Sequence, residues 1–196
     1  MQEDVLVIGA GPAGIATAYA LTQAGLSYKV VDKSHQIGDT WNRLYPSLTL
    51  NTTRYFSHMP EEPFPPEYGI FPSAEEYHSY LTEFAKRHHF NIQLGVAVKR
   101  VTPDRDLWRI ETNEGTRHYP VVISATGIFG SPVLPEIEGL DQFEGEVIHA
   151  HDFTNPNQVA GKRVLVVGNG PSGIDISVAA ADVTPMVNIA MRTGVT

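Results

Sequence analysis

The sequence predicts an α/β fold with parallel strands, and two near-copies of one stretch predict it: VLVIGAGPAGIATAYAL at residues 5–21 and VLVVGNGPSGIDISVAA at residues 164–180. Each opens on four apolar residues, which suit a strand buried on both faces of a parallel sheet. Each then reads G-x-G-x-x-G and runs into an Ala- and Ile-rich segment readable as a helix. The glycines are Gly9, Gly11 and Gly14 in the first copy and Gly168, Gly170 and Gly173 in the second. The first glycine permits a tight turn, the second lets backbone approach a pyrophosphate, and the third lets helix pack on strand. Pro12 and Ala13, and in the second copy Pro171 and Ser172, complete the turns as candidate cofactor-binding residues. A helix start of this kind turns free N–H groups and a positive dipole end toward phosphate.

A G-x-G-x-x-G also occurs wherever a strand meets a helix closely, so context decides. After the first copy, YKVVDK reads as a second strand ending in Asp32 and Lys33. An acidic side chain roughly 20 residues past the glycines can accept hydrogen bonds from ribose hydroxyls. The alternative is an ordinary βαβ turn with a surface Asp.

With 14 Lys+Arg against 22 Asp+Glu the formal charge is −8, which speaks against a broad nucleic-acid surface. Phosphate binding must be local. The chain has no cysteine, so disulfides, thiolate metal ligands and a redox-active C-x-x-C pair are excluded. The first buried strand begins a few residues from Met1, leaving no room for a signal peptide, and no apolar run approaches the ~18 residues of a membrane span. These features predict a cytoplasmic protein with no membrane segment.

After Lys33 the chain enters a loop-rich stretch, where Pro60, Pro63, Pro65, Pro66 and Pro72 forbid regular helix in its second half. Its Trp41, Tyr45, Leu48, Leu50, Tyr55, Phe56 and Phe64 must pack on something, either a planar ligand or the protein's own core. Ser73 and Glu76 predict a capping box opening a helix whose Tyr77, Tyr80, Leu81 and Phe84 share one face. The KRHH at its end reads as basic groups complementing the helix dipole rather than as a metal site. From Asn91 the segments NIQLG, VAVKRVT and LWRIETN predict a small antiparallel meander, followed by a buried strand in HYPVVISATG that ends at Ala125, Thr126 and Gly127. Pro132, Pro135 and Gly139 mark a linker.

The combination of GAGPAG, ISATGIFGSPVLPEIEG, FEGEVIHAHDF and GNGPSG, in that order, resembles the N-terminal half of a class B flavoprotein monooxygenase, nearest the flavin-containing monooxygenases and their bacterial relatives. Phe143, Gly145, His149 and Phe153 match the family pattern F-x-G-x-x-x-H-x-x-x-aromatic. The resemblance implies a Rossmann-like FAD-binding domain with an antiparallel β-meander at residues 1–150. A linker at 151–161 would follow, then the start of a second Rossmann-like, NADP-binding domain at 162–196. It implies that NADPH reduces the flavin, that reduced flavin and O2 form a C4a-peroxyflavin, and that one oxygen atom passes to a small-molecule substrate. Because the second domain is only begun, the chain by itself is expected to be an inactive fragment.

Residue by residue, the resemblance places Gly9, Gly11 and Gly14 on the FAD pyrophosphate and Asp32 on its ribose. Gly38, Thr40 and Trp41 would lie along the FAD, with Asp39 where the family commonly has glycine. Val98 would present backbone to the adenine. Asn51 matches an asparagine that steadies the oxygenated flavin, since an amide donates without ionising; an Asx-turn is the competing account. Gly168, Gly170, Ser172 and Gly173 would hold the NADPH pyrophosphate, and Arg192 and Thr193 its 2′-phosphate. Phe153, where ketone-inserting members carry Trp, favours a soft nucleophilic nitrogen or sulfur centre. Two rivals remain open: a cysteine-free, FAD-dependent NAD(P)H reductase, and a non-enzymatic FAD-binding fragment.

Overall fold

The computed structural model describes residues 3–128 and 130–192. The chain divides into two units, Met1–Asn42 with Thr49–Ile128, and Arg43–Leu48 with Phe129–Thr196. In the first, β1 (Val5–Ile8), α1 (Pro12–Gln23) and β2 (Tyr28–Asp32) follow the predicted strand, helix, strand order. β1 is central, flanked by parallel β2 and by parallel β7 (Val121–Ser124), and β3 (Ile92–Leu94) extends the sheet beyond β2. A separate antiparallel sheet is made by β4 (Val98–Asp104), β5 (Leu107–Thr112) and β6 (Gly115–Tyr119).

The apolar run of β1 is explained by what lies on each side of it. Val5 and Val7 pack with Ala18 of α1, Tyr28 and Val30. Leu6 packs with Val31, Val96, Ile110 and Tyr119, joining the parallel sheet to the meander. Further out, α4 (Ala74–Arg87) begins on the predicted capping box of Ser73 and Glu76, and lays Tyr77, Tyr80, Leu81 and Phe84 against Ile15, Tyr19, Leu50 and Phe64. No helix among the described residues is long and apolar enough to cross a membrane.

Three expectations are corrected. NIQLG is not part of the meander, because β3 pairs parallel with β2 across some sixty residues of intervening chain. HYPVVISATG is not one strand. Pro120, which has no N–H to donate, separates β6 from β7 at the point where the chain leaves one sheet for the other. Nor is β7 buried, since it lies at the sheet edge with Val121 46% exposed.

The second unit holds β8 (Val164–Val167), α5 (Pro171–Ala181) and β9 (Val187–Ala190), with β8 and β9 parallel. Tyr45, Phe153, Val159, Ile176, Ala179 and Ala180 form its core. The expectation of a strand buried on both faces fails for β8: Val164 and Val166 join the core, while Leu165 and Val167 are 63% and 60% exposed. That second face is largely exposed.

Candidate functional site

In the first unit the three motif glycines do three different things. Gly9 has φ +113°, and a Cβ there would lie 2.3 Å from the Ala125 carbonyl oxygen, so it serves the turn. A Cβ on Gly14 would lie 1.8 Å from the Gly9 carbonyl oxygen, so it serves helix–strand contact. Gly11 is different. A Cβ there meets nothing within 4 Å, and its backbone is extended at φ −83°. The protein therefore has no packing reason for glycine at this position, whereas a ligand approaching the backbone does. Gly11 is the N-cap of α1, Pro12 opens the helix, no side chain caps it, and no acidic residue stands in its first turn. The Ala13 end thus presents uncapped N–H groups suited to an anion.

Asp32 is tied into this turn. Its Oδ2 accepts the Ala10 N–H at 2.7 Å and its Oδ1 the Ser34 N–H at 2.8 Å. The Ala10 carbonyl in turn accepts the Gly38 N–H at 2.9 Å. One backbone residue thus joins the glycine turn, the end of β2 and the Gly38 segment. Each carboxylate oxygen keeps a second lone pair for a hydroxyl. Gly38, at φ +64°, packs on Leu81 and His78. Thr40 and Trp41 lie in the single-turn α2 (Asp39–Asn42), and Trp41 stands edge-on to Tyr77 at 4.7 Å. Lys33 is exposed.

Val98 and Thr126 are brought together in a groove of about 450 Å³, lined also by Ile8, Arg100, Trp108 and Ser124. It opens by the carboxyl ends of β1 and β7, where open α/β sheets bind ligands. Of the loop's large apolar residues, Tyr45, Leu50 and Phe64 are core, whereas Tyr55 and Phe56 are 69% and 87% exposed. Asn51 is exposed and its carboxamide bonds to none of the described residues, so the Asx-turn is not formed.

The second unit repeats the division of labour. Gly168 has φ +112°, a Cβ on Gly173 would lie 2.3 Å from the Gly168 carbonyl oxygen, and one on Gly170 meets nothing within 4 Å. Pro171 opens α5, which has no capping side chain, and Ser172 is exposed beside it. Arg192 is exposed just beyond β9; Thr193 lies outside the described residues. His149 caps a 3-10 turn by accepting the His151 N–H at 3.0 Å, a structural duty. Phe153 is core, packed against Tyr45 at 5.6 Å. At the KRHH end, His88 pairs with Glu62 at 2.7 Å, and no metal-holding cluster occurs among the described residues.

The sequence matches the family of pyridine nucleotide-disulphide oxidoreductases over residues 6–195. The chain belongs to this family. Among pyridine nucleotide-disulphide oxidoreductase relatives, a probable indole-3-pyruvate monooxygenase of Arabidopsis thaliana, YUCCA9, is 34% identical over 97% of this chain and 47% of its own length. The oxidoreductase CzcO of Bacillus subtilis is 36% identical over 89% of this chain and 51% of its own. A flavin-containing monooxygenase from Stenotrophomonas maltophilia superposes with a TM-score of 0.90 at 30% identity, covering 98% of this chain and 58% of that one. OTEMO in complex with FAD and NADP gives 0.80 at 29%, covering 97% and 39%. The chain spans about half the length of the curated relatives it matches. The 196 residues contain no cysteine and so carry no redox-active thiol pair.

One residue of the first site escapes motif reading: Ala10 acts through its backbone, which no side-chain pattern records.

Proposed function

We propose that the chain is the nucleotide-binding part of a cytoplasmic FAD- and NADPH-dependent monooxygenase. Residues 1–150 would serve FAD, 151–161 would link, and 162–196 would begin the NADP site. The observation that carries this is the repeated pair of open middle glycines, Gly11 and Gly170, each at an uncapped helix start. One chain with two such cradles suits two dinucleotides. The monooxygenase relatives, and OTEMO with its FAD and NADP, support the pairing.

FAD, when bound, supplies hydride acceptance from NADPH and activation of dioxygen. The chain's residues bind and orient. Gly11 and the Ala13 end of α1 would receive the FAD pyrophosphate, Asp32 its ribose hydroxyls, and Val98 with Thr126 its adenine end. Gly170 and Ser172 would take the NADPH pyrophosphate, and Arg192 the 2′-phosphate, where a cation is the suitable partner. Asn51, whose carboxamide bonds to none of the described residues, would have N–H groups to offer to reacting oxygen. The substrate reading is a soft nitrogen or sulfur centre, resting on Phe153 where ketone-inserting members carry Trp.

The test, made in a full-length context because the 196 residues alone are expected to be inactive, is an absorption spectrum of the purified protein, followed by NADPH under air and under nitrogen with a model amine or thioether. Bound flavin, bleached by NADPH under nitrogen and yielding oxygenated product in air, is expected. Full release of hydrogen peroxide with no product would favour the reductase, and protein that refuses FAD would sink both.

A further inference from the structure

Between Thr49 and Ser73 the chain makes an excursion closed at its base. Thr49 bridges Ser73, the Leu50 N–H donates to the Pro72 carbonyl at 2.8 Å, and the Arg54 N–H donates to the Ile70 carbonyl at 2.7 Å. The excursion contains five prolines, so much of it cannot donate to a ladder. Its carbonyls converge instead on the Arg54 guanidinium. One terminal nitrogen donates to Pro66 at 3.1 Å and Tyr68 at 2.5 Å, the other to Phe64 at 3.0 Å and Pro65 at 2.8 Å. All four terminal N–H bonds are thereby used on backbone oxygen.

Arg54 and Asn51 sit in the same three-residue step. Among the described residues Asn51 has no side-chain hydrogen bond to hold it, and it lies between two anchored amides, those of Leu50 and Arg54. Both anchors are carbonyls of the segment 70–72, whose approach is set by the Phe64–Tyr68 turn wrapped around the guanidinium. We propose that Arg54 is a positioning residue: its guanidinium folds the proline loop and, through that loop, holds Asn51 at the place where it acts. The action on Asn51 rests on the monooxygenase reading; the folding of the loop does not. The planar fork matters, since a lysine ammonium offers three donors from one point and cannot span four carbonyls.

The experiment compares the parent with Arg54→Ala and Arg54→Lys by backbone hydrogen exchange. Both variants should exchange the amides of Leu50, residue 54 and Tyr68 at least tenfold faster, while those of β1 and α4 stay unchanged. Free guanidinium at tens of millimolar should restore slow exchange in Arg54→Ala, and equal urea should not. Unchanged loop exchange, parent-like Arg54→Lys, or rescue by urea would each overturn the assignment. A second arm, in a full-length context, measures oxygenated product per NADPH in Asn51→Ala, Arg54→Ala and the double variant. If Arg54 acts through Asn51, the double variant is no worse than Asn51→Ala; losses that multiply overturn that action. An Asn51→Ala variant that loses nothing overturns both the catalytic reading of Asn51 and Arg54's action through it. The exchange data still judge the loop alone.

Discussion

Adding the same methyl group to Gly11 and to Gly14 should produce opposite defects. At Gly14 the new Cβ would stand 1.8 Å from the Gly9 carbonyl oxygen and 2.9 Å from its carbon, so α1 must retreat from the turn by more than an ångström. Overpacking costs about 1–3 kcal/mol where side chains can yield, and backbone yields less. We expect Gly14→Ala to lose roughly 3 kcal/mol and, at about 2–4 °C per kcal/mol, to melt near 10 °C lower. At Gly11 the backbone is extended and the Cβ meets nothing. Reduced freedom of the unfolded chain contributes about 0.4–1 kcal/mol, offset by the poorer N-cap quality of alanine. Its melting point should stay within about 2 °C of the parent. Its FAD affinity should fall about thirtyfold, roughly 2 kcal/mol, because the methyl would occupy the path proposed for the pyrophosphate. Thermal unfolding without ligand and flavin-fluorescence titration separate the two. Parent-like FAD affinity in Gly11→Ala, or a parent-like melting point in Gly14→Ala, would refute the division of roles.

Asp32→Asn should weaken fold and nucleotide grip together, because an amide cannot accept both the Ala10 and Ser34 N–H bonds. The expected loss on denaturant unfolding is about 1.5–3 kcal/mol, and parent stability would count against it. Tyr45→Phe should raise stability by about 1 kcal/mol, since the buried hydroxyl has no partner among the described residues. Burial, with Asp175 nearby, pushes its pKa up to about 12, so the hydroxyl stays protonated at any working pH. A lower melting point for this variant would reveal a partner. Finally, partial burial pushes the Glu62 carboxyl upward, but hydrogen bonds from Arg87 and His88 outweigh it and hold the group below its ordinary range. A lowered carboxylate pKa stabilises above the unfolded value of about 4.3 and loses that contribution as pH falls through the folded value. Protease sensitivity near Glu62 should therefore rise below about pH 4 in the parent and be insensitive to pH in Glu62→Gln.

Local patterns were readable from sequence where the physics is local. The glycine turns, the helix starting at Pro12, the one starting at Pro171 and the Ser73–Glu76 capping box each depend on residues within a few positions. Pairing at long range was not. Nothing in NIQLG reveals that its partner is β2 rather than the following strand, since a three-residue segment carries too short a pattern to assign a face. The exposed face of β8 was illegible for the same reason: an apolar run states what it would prefer to contact, not what is there. Asp32 was legible as the acid that ends the second strand. Its two backbone partners were invisible, because a backbone N–H has no letter in the sequence.

The loop Arg43–Leu48, which leaves the first unit and puts Tyr45 and Leu48 into the second one's hydrophobic cluster, determines how the gene can be dissected. A single cut near residue 128 would strand Tyr45 with the upstream product and leave Phe153 and Ile176 short of a neighbour in the downstream one. Both products would expose apolar surface, inviting self-association. Recombinant boundaries chosen from linear order would therefore make sticky halves, whereas a hexapeptide supplied separately, or a rearranged gene placing it beside the downstream segment, would spare that cluster.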